Sequence, residues 1–433
     1  MKRNLFALLL FFAFLLPSGA IAQTAVKLTP DEKKIAEGVT AKQLSDYLYF
    51  VASDEMEGRD TPSRGLDTTA KFIGMNLSKW GFKPAGDNGT YYQKIELTRE
   101  AVDPDKTKLT INGQPFKLNE DFFRLNGNAS VSAPLVFGKD GWMVKAKGID
   151  SFQGVDVKGK IVVIYGANFS QRTMTSPPAG VTRDDLKGVK GVDWADPVTH
   201  AVNAGAVGVI IIAPPSLQDR WEGIKGFFSR GNTFPTKFRD ASANNAPPTI
   251  VVSKNVGDAI FAGESAARDS AAAFEIKKNA ELASISKTEK LWTQNVVAIW
   301  EGGDPLLKNE MVAIGAHYDH IGISQNQSLK DRINNGADDD GSGTVSVLSI
   351  AEAISHAPKR PKRSILFVWH CGEEKGLWGS EYFNKFPTVD IKQVIAQLNI
   401  DMIGRSKKVD DTNPKNKDLS GENAIYVIGK DMM

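Results

Sequence analysis

Residues 311–320 read Met311-Val312-Ala313-Ile314-Gly315-Ala316-His317-Tyr318-Asp319-His320, a short apolar run that stops on a histidine and an acid. Two later runs end the same way: Ile365-Leu366-Phe367-Val368-Trp369-His370 leads into Glu373-Glu374, and Val394-Ile395-Ala396-Gln397-Leu398-Asn399-Ile400 leads into Asp401. Apolar runs of this length read as strands, and Val296 to Trp300 reads as another. Between them, residues 343–357 and 376–386 read as helices. Short strands alternating with helices predict an α/β unit whose mostly parallel or mixed central sheet is covered by helices. In open α/β sheets the functional crevice lies at the carboxyl ends of the strands, so the three terminal groups should meet there.

The loop Asn335-Gly336-Ala337-Asp338-Asp339-Asp340-Gly341-Ser342-Gly343 adds three consecutive acids just before a helix. Histidine with several carboxylates is a mixed nitrogen and oxygen donor set suited to zinc, and a carboxylate can bridge two metals. Such a centre acidifies water and polarises a carbonyl, which makes hydrolysis its natural use. Of the adjacent Glu373 and Glu374, one could serve as base and the other as ligand. Each element alone also has a plain structural reading. His-x-Asp pairs are common, acidic glycine loops form turns or calcium loops, and acids favour helix N-termini. Their joint placement at strand ends favours chemistry.

Residues 40–52 carry Leu44, Tyr47, Leu48 and Val51 at helical spacing behind a possible Thr40 cap. A second helix is expected from Gly65, with Leu66, Ala70, Ile73, Leu77 and Trp80 on one stripe and Gly81 as its stop. Between 101 and 285 short β-rich runs alternate with Gly, Pro and Asn-rich loops, as in a separate domain. Its one histidine, His200, reads as structural or surface. At the N-terminus, Lys2 and Arg3 precede an apolar run from Leu5 to Leu16 and the small-residue stretch Ala20-Ile21-Ala22. This predicts a cleavable signal peptide over 1–22 and an exported, periplasmic or extracellular product without a membrane anchor. Of 433 residues, 53 are basic and 51 acidic, so no nucleic-acid partner is indicated. The single cysteine, Cys371, excludes an internal disulfide.

Ala316 to His320, Asn335 to Gly343, Gly372-Glu373-Glu374-Lys375-Gly376-Leu377-Trp378-Gly379-Ser380 and Asn399-Ile400-Asp401-Met402 together resemble the ordered motifs of the two-zinc exopeptidases that include secreted bacterial leucyl aminopeptidases and glutamate carboxypeptidase. Ala52 to Arg59 resembles the start of such catalytic domains. Lys158 to Val163 and Asn203 to Ile210 resemble the protease-associated (PA) domain often inserted in them. The resemblance implies a catalytic domain over 23–100 and 286–433, with a β-rich PA insertion over 101–285. It also implies roles: His317 and Asp401 on one zinc, Asp338 as bridge, Glu374 on the second zinc, Glu373 as general base, and Asp319 behind His317, orienting its ring.

The family's second zinc also takes a histidine from a later Ser-Asp-His-like motif, and nothing after Asp401 matches it. The expectation is a catalytic domain continuing beyond Met433, the alternative being a degenerated second site; His320 is the one local substitute. The function expected is a secreted zinc aminopeptidase acting on peptides, with two zinc ions in a complete site. A carboxypeptidase or dipeptidase on the same scaffold is the sister reading, and a non-catalytic, receptor-like protein the reading from another class. The partner of the PA domain is left open.

Overall fold

The computed structural model describes residues 27–428 apart from 167, 171–173, 230, 240–245, 265, 268 and 423, so the expected signal segment over 1–22 lies outside the described residues. The central sheet is built from β1 (Tyr92–Val102), β2 (Asn232–Pro235), β3 (Ser286–Trp300), β4 (Met311–His317), β5 (Ser364–His370) and β6 (Val394–Asn399), with spatial order β2-β1-β3-β5-β4-β6. Four helices matter for the site: α1 (Ala41–Val51), α2 (Arg64–Lys79), α3 (Gly343–Ser355) and α4 (Trp378–Lys385). The Thr40 hydroxyl caps α1 by accepting from the Gln43 N–H, and the Ser63 hydroxyl caps α2 by accepting from the Leu66 N–H.

Alternation along β5 assigns the two faces of the sheet. Phe367 and Trp369 pack with Ala316, Tyr318, Leu66, Ile73, Leu77, Leu348 and Ala351 under α2 and α3. Leu366 and Val368 pack with Ala313, Val297 and Phe383 of α4 on the other face. The sheet is mixed: only β5, β4 and β6 run parallel, whereas β3 is antiparallel to both β1 and β5. Parallel neighbours need a crossover, and α3 supplies the one between β4 and β5.

Register explains why distant residues meet. His317 pairs with His370 across β4 and β5, and Gly315 pairs with Asn399 across β4 and β6. Asp401 therefore leaves its strand level with His317, and Glu373-Glu374 begin three residues past the same level.

Strands drawn from residues 108–284 form a second, eight-stranded sheet whose centre is parallel, in the order 129–137, 161–165, 208–212, 249–252. Gly208–Ile212 is buried throughout because apolar clusters cover both sides, so this β-rich segment has an α/β centre. His200 is buried here: its ring stacks on Phe152 at 4.0 Å, and Nδ1 lies 3.0 Å from the Gly141 carbonyl oxygen. The chain leaves and re-enters the central sheet at neighbouring positions, Val102 pairing with Ser286. β2 comes from within 108–284 yet hydrogen-bonds to β1, with Phe234 opposite Thr98, so the two sheets are not independent. No helix among the described residues is long and apolar enough to cross a membrane.

His370 is enclosed on the α4 face, its ring 6.2 Å from that of Phe383, and neither ring nitrogen has a hydrogen-bond partner. Burial, reinforced by the charge of His317, pushes its pKa down to about 4. The unfolded chain takes up this proton near pH 6.5, so the folded state is fully stabilised above that pH and loses stability as pH falls toward 4. The loss is about 3 kcal/mol from this group. Denaturant unfolding at pH 7 and pH 4 is expected to show it in the wild type and not in His370→Leu. Equal acid sensitivity in both proteins would contradict it.

Candidate metal centre

His317 ends β4 and is almost fully enclosed. Its Nδ1 faces Asp319, 3.2 Å from the carbonyl oxygen and 3.5 Å from Oδ1, which turns Nε2 toward the sheet edge. Around Nε2 stand Asp339 Oδ1 at 3.2 Å, Asp401 Oδ1 at 3.8 Å and Glu373 Oε2 at 3.9 Å. Asp319 is completely buried and also accepts the Glu373 N–H at 3.1 Å through Oδ1. It thus fixes both the imidazole and the loop that carries the two glutamates.

A second group adjoins the first. His320 Nδ1 lies 2.7 Å from Glu374 Oε1 and 3.9 Å from Asp339 Oδ2, so Asp339 faces both histidines, one through each oxygen. His320 Nδ1 and Glu374 Oε1 are buried and neither makes a hydrogen bond. Two lone-pair atoms held together in that way suit a cation. Two triads have atoms close enough to hold a metal among the described residues: His317, Asp340 and Asp401, and His320, Asp339 and Glu374.

Of the three consecutive acids, Asp340 points inward. Its Oδ2 accepts from the His317 N–H and its Oδ1 from the N–H groups of Gly343 and Met402, so it frames the site with its oxygens already engaged. No side chain fits at Gly343, where a Cβ would stand 2.3 Å from the Ile400 carbonyl and 2.4 Å from Asp340 Oδ1. Asp338, expected as the bridge, turns the other way: its carboxylate accepts from the Gly404 N–H at 2.9 Å and from Arg405 Nε at 2.5 Å. Asp339 is the acid that faces both histidines, because consecutive side chains in this irregular turn diverge. Glu373 and Asp401 lie beside His317, Glu374 lies beside His320, and Asp319 lies behind His317.

Electrostatics follow from crowding the acids. Burial disfavours a charged His317, yet its bond to Asp319 and the charges of Asp340, Asp319 and Asp401 prevail and hold its pKa up at about 9. Burial pushes Asp340 up to about 8, with Asp401 adding to the shift and His317 opposing it. Glu373 is raised by burial and by the neighbouring charges of Asp319, Glu374 and Asp401, against His317. Asp401 is raised by burial, and Asp339 and Asp338 add to it. The acids outnumber the one positive charge of His317, and a divalent cation would supply the rest.

Arg59, a cation close enough to feel the charges of Asp319, Asp340 and Asp339, is fully enclosed beneath the loops. Its guanidinium donates from Nε to the Tyr318 carbonyl (2.9 Å), from Nη1 to those of Val51 (2.6 Å) and Asn335 (2.7 Å), and from Nη2 to that of Gly336 (2.8 Å). It therefore ties the His317 strand end, the acidic loop and α1 together. Nothing in the motif Ala52 to Arg59 marks the role of Arg59, and the sequence does not tell Asp339 and Asp340 from Asp338 or point to Arg405.

Residues 295–428 match the description "Peptidase family M28" and residues 131–260 the description "PA domain". Among curated proteins, the chain is 36% identical over 111 residues to "Leupeptin-inactivating enzyme 1" of Streptomyces exfoliatus, a stretch covering 25% of this chain and 22% of that relative. It is also 36% identical over 119 residues to the "probable leucine aminopeptidase 2" of Aspergillus oryzae, covering 27% of this chain and 21% of the relative. The matched stretch thus spans about a fifth of either relative. Among solved structures, the "Aminopeptidase from Aneurinibacillus sp. strain AM-1" aligns at 20% identity over 85% of this chain and 72% of that one, with a TM-score of 0.44.

Proposed function

We propose that this chain, which carries a peptidase family M28 segment and a PA domain, is a zinc aminopeptidase that removes N-terminal residues from peptides. The observation that carries the reading is that the two oxygens of Asp339 face His317 and His320, with Asp401 set against His317 and Glu374 against His320. A relative named as a probable leucine aminopeptidase favours an exopeptidase acting at the amino end.

His317, Asp339 and Asp401 would hold one zinc ion, and His320, Asp339 and Glu374 a second. Zinc at these positions supplies Lewis-acid activation of water and of the scissile carbonyl. Glu373 is the group beside the cluster with a carboxylate oxygen free to move a proton. Its Oε2 takes the proton of the attacking water and returns it to the leaving amine, and its raised pKa strengthens it as a base. Asp319 holds His317 in the orientation that keeps Nε2 toward the metal and anchors the Glu373 backbone.

In the same reading, residues 23–100 and 286–433 form one catalytic unit with 101–285 inserted, and the product is exported after cleavage behind Ala22. The test compares a peptide with a free α-amino group and its N-acetylated form, with and without a chelator. Stepwise loss of N-terminal residues from the free peptide alone, abolished by the chelator, is expected. Shortening of the acetylated peptide from its C-terminus would replace aminopeptidase by carboxypeptidase.

A further inference from the structure

The loop that follows Asp401 is laced to the acidic loop by successive contacts. Met402 N–H donates to Asp340 Oδ1 at 3.1 Å, Ile403 N–H to the Ser342 hydroxyl at 3.0 Å and Gly404 N–H to Asp338 Oδ1 at 2.9 Å. Arg405 Nε closes the series on Asp338 Oδ2 at 2.5 Å, the one charged pair in it. The approach is close enough that a Cβ at Gly404 would stand 2.9 Å from both Asp338 Oδ1 and the Ser342 Cβ. Asp401 itself is half-exposed and sits past the end of edge strand β6, so its own strand does little to fix its carboxylate.

We infer that Asp338 and Arg405 form a latch that positions Asp401 against His317 and Asp339, so that Asp338 acts on the metal centre through the neighbouring loop without touching the metal. The inference rests on the metal-centre reading above. Two effects join in the latch. The Arg405–Asp338 pair and the Gly404 bond dock the 401–405 loop onto the 338–343 loop, which carries Asp339. Arg405 also offsets the negative charge of Asp338, which would otherwise stand unpaired beside Asp401 and Asp339. Groups that orient a metal ligand typically govern metal affinity by about 10- to 100-fold. Because Arg405 is largely exposed and its guanidinium fills no core space, its removal leaves the fold intact.

The test uses the full chain, made metal-free and titrated with zinc against a chelator of known affinity. It is repeated with cobalt, whose visible spectrum reports ligand geometry. Arg405→Ala and Asp338→Asn are each expected to weaken the tightest zinc by about tenfold or more. The cobalt spectrum should shift in both, while the metal-free unfolding midpoint should hardly move. The double variant should be no worse than the worse single one, because both act along one path. Arg405→Lys, which keeps the charge but loses the planar fork, should recover part of the affinity. Unchanged zinc affinity and cobalt spectra in both single variants would overturn the latch alone. A wild-type chain that takes up no zinc would overturn the metal centre and the latch with it.

Discussion

Arg59→Met is expected to lower the stability of the chain by about 4 kcal/mol, because it removes a buried cation and leaves several carbonyls without donors. The side chain satisfies the carbonyls of Val51, Tyr318, Asn335 and Gly336 at once, and these belong to α1, the end of β4 and the acidic loop. Methionine fills similar volume and donates nothing. Burial lowers the Arg59 pKa to about 10, with Asp319, Asp340 and Asp339 opposing the fall, so the group stays charged at neutral pH. Its loss also removes a buried positive charge that acts on those acids. Calorimetry of the metal-free protein should show the unfolding midpoint lower by roughly 10 °C. Arg59→Lys, with three donors in place of five, should lie between. A methionine variant as stable as the wild type would mean that water or neighbouring groups satisfy those carbonyls.

Glu373→Gln in the active protein is expected to lower turnover by about 10²- to 10⁴-fold while leaving zinc content near normal. Glu373 Oε2 stands 3.9 Å from His317 Nε2 and its side chain is 36% exposed, which suits a proton carrier. Glu374→Gln should instead weaken zinc, since Glu374 Oε1 is the buried oxygen set against His320 Nδ1, and a neutral amide is a poorer ligand than a carboxylate. Zinc analysis and peptide hydrolysis on both variants separate the two roles. Zinc lost from Glu373→Gln, with Glu374→Gln still active, would reverse the assignment.

Much of this architecture was legible because it depends on local periodicity. The stripe Leu66, Ala70, Ile73 and Leu77 and the Thr40 cap are short-range signals, and the structure has both helices where they point. The apolar runs that end at His317, Glu373-Glu374 and Asp401 likewise became neighbouring strands. What escaped depends on contacts between segments far apart. Nothing in Asp338-Asp339-Asp340 says which acid faces the histidines. The choice is made by Arg405 and Gly404, more than sixty residues on, which draw Asp338 away. β2 has the same origin: four residues inside the 101–285 segment complete the edge of the other sheet only because β1 offers an unpaired edge there. The antiparallel setting of β3 also lay beyond periodicity, which gives a strand's faces and not its direction.

The most direct test of the shared centre is the zinc content of metal-free protein reloaded and dialysed, for the wild type and for Asp339→Ala. If Asp339 serves both histidine groups, the wild type retains two zinc ions per chain and Asp339→Ala retains neither tightly. Full zinc content in Asp339→Ala would contradict the sharing and return the bridging role to another of the three acids.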